Sequence, residues 1–204
     1  MLPNAWDHAS AAALAARGFS DRPEEVADLV AELAGLGVVG VNIEDGRADG
    51  ALAPIDHQRS VIGSVKSRVP GMFVNARTDT HWQRRPTPAA LEEALRRVRE
   101  YADAGADGVF VPGVTSDAAI GALVEMAGVP LNVLFVPGLA LERLAALGVR
   151  RVSTGSLLFR AALTAAVETA VTAAAGGTPA NGLLSYVEVE ALNELTAGAR
   201  TTAM

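Results

Sequence analysis

The chain contains no cysteine. That excludes a disulfide scaffold, a thiolate nucleophile, and a zinc or iron–sulfur centre held by thiolates. Aromatic residues are scarce, at 4% of 204 residues, so a core must be built from alanine, valine and leucine. Basic residues are outnumbered, 17 Lys and Arg against 23 Asp and Glu, for a formal charge of −6. No Lys/Arg run forms the patch a nucleic-acid binder needs. No apolar run reaches the ~20 residues expected of a membrane span, and MLPNAWDHAS lacks a basic start followed by an apolar stretch. No nucleic-acid partner, no membrane and no secretory leader are therefore expected, and a cytoplasmic location is. With half the residues apolar, the composition is globular and the length suits one full-sized domain.

What is present is an alternation of short apolar runs with longer helical patterns. Val26, Leu29, Val30, Leu33 and Leu36 recur at steps of three and four, as do Leu91, Leu95, Val98 and Tyr101, and Ile120, Leu123, Val124 and Ala127. Thr87-Pro88 reads as an N-cap followed by a first-turn proline, and Asp21 and Pro23 mark an earlier helix start. Gly37, Gly105, Gly128 and Gly148 each follow a helical stretch and precede an apolar run, the signature of left-handed helix caps. Six parallel strands are expected, at 2–6, 38–43, 72–76, 108–112, 131–136 and 150–154, each buried on both faces. The fold class is α/β, of the (β/α)8 barrel type but incomplete. A domain over 1–175 is expected, with a linker and C-terminal helix over 176–204.

In parallel α/β folds, chemistry gathers at the C-terminal ends of the strands. Polar residues lie there: Asn4 and Asp7, then Asn42, Glu44 and Asp45, then Asn75, Arg77 and Asp79, then Ser153 and Thr154. Alternation places Asn42 with Glu44 on one face, and Asn75, Arg77 and Asp79 on one face. Glu44 and Arg77 fall at equivalent depths. They either form a plain ion pair or together hold an anionic substrate and a metal-bound water. His8, His57 and His81 show no metal-ligand spacing, and no phosphate loop, dinucleotide fingerprint or nucleophile elbow is present.

The segments LPNAWD, GVNIEDG, NARTDTHW, YADAGADGVFVPG, PLNV and GVRRVSTGSLLFRAA, in that order, resemble the isocitrate lyase/phosphoenolpyruvate mutase family, in its phosphonomutase-like branch. The resemblance implies a barrel that binds Mg²⁺ and a small 2-oxo carboxylate or phosphonate, and makes or breaks a C–C or P–C bond beside it. It implies that Glu44 holds the metal through water and that Arg77 grips substrate oxygens, the two being the catalytic pair. Asn42, Asn75 and Asp79 lie beside them as substrate-side residues, with Trp6 and Asp7 at the end of the first strand. It further implies a homo-oligomer that exchanges the helix at 157–175, which is apolar on nearly every side.

The chain also departs from the family pattern. LAARGF runs directly into SDRPEEVADLV, where family members carry a substrate-gripping turn and an Asp-rich metal loop. About two βα units are therefore expected to be missing, consistent with 204 residues where such barrels use ~250. Glu44 is left as the main family carboxylate, so activity is expected to be impaired, with a non-catalytic paralogue or anion-binding scaffold as the alternative. Without a cysteine, nothing can replace the thiol acid of isocitrate cleavage, and glyoxylate release is expected to be absent.

Overall fold

The computed structural model describes residues 22–47, 49–82, 87–178 and 182–191. The expected first strand at 2–6, with Trp6 and Asp7, lies outside them.

Among the described residues, five strands alternate with helices. They run in the order α1 (Pro23–Gly35), β1 (Gly40–Glu44), α2 (Ile55–Arg68), β2 (Phe73–Arg77), α3 (Pro88–Asp103), β3 (Gly108–Phe110), α4 (Asp117–Ala127), β4 (Leu131–Leu134), α5 (Leu141–Ala146), β5 (Arg151–Ser153) and α6 (Leu157–Ala174). All pairings are parallel and the spatial order is β1-β2-β3-β4-β5, so each strand lies beside its neighbour in sequence. This is an incomplete barrel-type α/β fold. Each strand matches an expected run, with its ends displaced by at most two residues.

One strand face carries the core. Val41, Val74, Ala76, Val109 and Val133 are buried with Ile62, Val65, Val98, Tyr101, Ile120 and Leu123 from the helices. Burial of this many branched side chains, at about 1.5–3 kcal/mol each, is the main force holding the sheet to its helices. The helix starts follow local chemistry. Thr87 accepts a hydrogen bond from the Ala90 amide at 3.1 Å and Pro88 occupies the first turn of α3. Ser116 caps α4 in the same way. At the end of α4, Gly128 adopts φ +65°, the left-handed cap that its position after a helical run predicts.

At the base of the sheet, Lys66 of α2 binds three oxygens. Its Nζ donates to the carbonyls of Pro70 and Met72 and to Asp107 Oδ2, at 2.9–3.0 Å. Asp107 Oδ2 also accepts from the Val74 amide at 2.8 Å. One cation thereby ties α2, β2 and the entry to β3 together.

The chain divides into two compact units, with the boundary between Gly155 and Ser156. The second unit contains α6 and a helical segment over 186–191. Along α6, Leu158, Phe159, Leu163, Val167 and Val171 are exposed. Here the expectation that no apolar run nears membrane-spanning length needs correction. By length and composition α6 is a candidate span, with 18 residues of mean hydropathy 1.4. Leu157, Leu158, Phe159, Leu163, Val167 and Val171 supply most of that hydropathy and alanines the rest, and the helix also carries Arg160, Glu168 and three threonines. A rise of ~27 Å for 18 residues falls short of a ~30 Å hydrocarbon layer.

Candidate active site at the strand ends

The pairing register decides which side chains meet. Asn42 lies opposite Asn75, Glu44 opposite Arg77, Arg77 opposite Phe110, and Phe110 opposite Asn132. In a parallel ladder, residues directly opposite project to the same face. Asn42, Glu44, Asn75, Arg77, Phe110 and Asn132 therefore share the face opposite to the core valines.

Arg77 sits at the centre of this group. Its Nη1 lies 2.9 Å from Glu44 Oε2. Its Nε and Nη2 donate to the two oxygens of Asp79 at 2.6 and 3.2 Å, a bidentate fork. The guanidinium also lies 5.5 Å from the Trp82 ring centroid and 5.6 Å from that of Phe110, within cation–π range. Deeper in the group, Asn75 Nδ2 donates to Asn42 Oδ1 at 2.6 Å. The structure thus brings together Asn42, Glu44, Asn75, Arg77 and Asp79.

Glu44 is held above its ordinary value. Loss of hydration is the largest cause and the charges of Asp79 and Asp45 add to it, while Arg77 opposes them. Folding therefore promotes protonation of Glu44. Between the ordinary carboxylate range and its raised value, the folded state binds more protons than the unfolded state, so stability falls as pH rises through that window and is level above it. Urea midpoints followed from about pH 4 to about pH 7 should show this fall, and Glu44→Gln should flatten it. An unchanged slope in that variant would assign the effect elsewhere.

Several participants were not indicated by residue type and spacing. Trp82 and Phe110 read as ordinary apolar residues until the register places them beside Arg77. Asn132 is buried, and its Oδ1 is an orphan acceptor among the described residues. The asparagine in the middle of an apolar run, PLNV, is the signal that could have found it. Asp45 turns one carboxylate oxygen into a buried cluster with Arg97 and Tyr101 and the other toward the Asp79 amide.

Mg²⁺ takes six oxygen ligands, commonly one or two carboxylates with the remainder from water and substrate. Glu44 and Asp79 provide two hard carboxylates around one guanidinium, and about half of the Glu44 side chain faces solvent. Among the described residues no group of three His, Cys, Asp or Glu side chains could enclose an ion. The donor set fits a metal held largely through waters, and does not make a closed cage.

The family model described as phosphoenolpyruvate phosphomutase matches residues 15–174. That range includes α6, which therefore belongs to the matched family region. An uncharacterized protein of Mycobacterium tuberculosis (strain ATCC 25618 / H37Rv) is 40% identical over 176 residues, 85% of this chain and 65% of its own length. A crystal structure from Burkholderia cenocepacia J2315, described provisionally as a lyase/mutase, is similar at 32% identity and TM-score 0.73, over 85% of this chain and 65% of that one. The crystal structure of 2,3-dimethylmalate lyase shares the fold at 23% identity and TM-score 0.71, over 89% of this chain and 66% of that one. The chain spans just under two thirds of the curated relative's length, which agrees with the expected shortening by about two βα units. The chain belongs to the phosphoenolpyruvate mutase/isocitrate lyase family.

Proposed function

We propose that this protein binds a small 2-oxo carboxylate or phosphonate together with Mg²⁺ at the Glu44–Arg77–Asp79 group, and that the family's C–C or P–C bond chemistry is impaired in it. The observation that carries this reading is the charge balance around Arg77. Two carboxylates contact one guanidinium, leaving one net negative charge before any ligand arrives. A dianionic ligand entering alone would meet repulsion that the already paired Arg77 cannot offset. A divalent cation reverses the sign of that balance, and when bound it supplies the positive charge that stabilises an oxyanion. Glu44, and Asp79 beside it, would hold the metal. Arg77, its fork held by Asp79, would reach a ligand oxygen with the Nη hydrogens that its contacts to Glu44 and Asp79 leave over, and Asn42 and Asn75 would line the floor. Glu44 is the main family carboxylate left, which is why turnover is read as weak.

Calorimetry with oxalate tests this directly. Binding is expected with Mg²⁺ present and not after chelation. Equal binding in both conditions would favour a metal-independent anion scaffold, and no binding in either would overturn both readings.

We also propose a homo-oligomer formed through α6. The exposed residues Phe159, Leu163, Val167 and Val171 recur every four positions along that helix, a stripe suited to a second copy. Light scattering coupled to size exclusion should give a dimer or larger symmetric species that Phe159→Glu dissociates. A monomer at micromolar concentration would refute it.

A further inference from the structure

A buried polar cluster lies behind the candidate site, on the helix side of the sheet. Asp45 follows β1 directly and its side chain is fully buried, while the Arg97 side chain on α3 is 6% exposed. Arg97 Nη1 donates to Asp45 Oδ2 at 2.9 Å, and the Tyr101 hydroxyl donates to the same oxygen at 2.7 Å. Arg97 Nη1 also reaches the Ala53 carbonyl at 2.9 Å and the Tyr101 oxygen at 2.8 Å, and its Nε donates to Glu93 at 2.7 Å.

The other oxygen of Asp45 faces the opposite way. Oδ1 accepts from the backbone amide of Asp79 at 2.9 Å, and the Asp45 amide donates to the Arg77 carbonyl at 3.1 Å. Asp79 in turn holds Arg77 by its fork. One carboxylate thereby divides its oxygens between α3 and the loop that aims Arg77. A second feature shapes the same spot from the front. A Cβ on Gly46 would overlap Asp79 Oδ2, so the residue after Asp45 must be glycine for the Asp79 carboxylate to occupy its place. The Gly46 backbone is not in the left-handed region, so the constraint is contact with Asp79 and not local conformation.

We infer that Asp45, fixed by Arg97 and Tyr101, is a positioning residue that sets Asp79 and through it the orientation of the Arg77 guanidinium. None of the three touches the ligand. The inference deepens the reading of Arg77 as the oxyanion anchor and rests on it. It assigns α3 a role in the geometry of the site beyond packing.

The test uses the full chain labelled with ¹⁵N, so that it does not depend on any ligand. The probes are the Asp79 backbone amide and the Arg77 Nε–H signal, the latter assigned by its loss in Arg77→Lys. Tyr101→Phe removes one hydrogen bond to Asp45 and keeps the ring. It should shift or broaden both probes while the protein still melts cooperatively. Gly46→Ala approaches Asp79 from the other side and should move the same two probes while leaving the amides of α3 in place. If Tyr101→Phe moves only α3 amides, or Gly46→Ala leaves both probes unchanged, the positioning role is overturned and the cluster is only a structural staple. In a second arm, each variant should weaken Mg²⁺-dependent oxalate binding by about fivefold, the equivalent of one hydrogen bond. Failure of the wild-type chain to bind oxalate would overturn the proposed function, and the ligand-free probes would still decide the positioning role.

Discussion

Asp45→Ala is expected to lower the free energy of unfolding by about 3–5 kcal/mol, because it takes from buried Arg97 the fully buried one of its two carboxylate partners, the other being Glu93. The Tyr101 hydroxyl and the Asp79 amide lose their acceptor in the same step. The environment responds to that coupling. Tyr101 is pushed well above the ordinary phenol range, first by burial and then by the Asp45 charge. Against a total stability of about 5–15 kcal/mol typical of single domains, such a loss removes from about a fifth of the margin to all of it. Urea unfolding followed by circular dichroism measures it. A loss under about 1 kcal/mol would mean that the cluster is hydrated and its charges already screened. The double variant Asp45→Leu/Arg97→Met should recover part of the loss, since replacing both members of a buried pair by apolar residues of similar volume is often neutral.

The second large effect concerns Arg77. Arg77→Lys is expected to weaken Mg²⁺-dependent oxalate binding by about 1–3 kcal/mol, roughly 5- to 150-fold, since lysine keeps the charge but not the planar fork. Two features of the structure make the exchange severe. An ammonium cannot take both Asp79 oxygens in parallel, and it does not offer the Trp82 and Phe110 rings the flat, delocalised cation that the guanidinium does. Calorimetry at one magnesium concentration compares the two proteins. Unchanged affinity would remove Arg77 from its role as anchor.

Much of the fold could be read from the residues, because glycine caps and apolar runs are local signals. Gly37, Gly105, Gly128 and Gly148 all take positive φ where the pattern expects helix ends. The β1 and β2 ends delivered Glu44 and Arg77 to one place because alternation and strand depth are also local properties. Helix α2 was harder to see. Its buried residues Gln58, Val61, Ile62 and Val65 are interrupted by Ser60, Gly63 and Ser64, so its apolar stripe is short. Helix α5 has only six residues and one buried side chain, Leu144. The Asp45–Arg97–Tyr101 cluster was illegible for a different reason. In EEALRRVRE, Arg97 looks like one more solvated charge beside Arg96 and Arg99. Only its spacing, three after Ala94 and four before Tyr101 on the buried face, betrays it. Its partner lies 52 residues away, a pairing that the register of β1 and β2 creates and no local rule reveals.

The nearest-neighbour order of the five strands has a kinetic consequence. Among the described residues each strand pairs with those beside it in sequence, so within these five strands no pairing requires a distant part of the chain to arrive first. The entropy of closing each crossover is that of one helix and its two connections, and it grows only slowly with loop length. Folding can then proceed by adding one strand and helix at a time to an existing edge, which favours speed over that of sheets whose neighbours are far apart along the chain. The Lys66 clamp is a contact of the same near-neighbour kind, joining α2, the entry to β2 and the entry to β3 through one ammonium group.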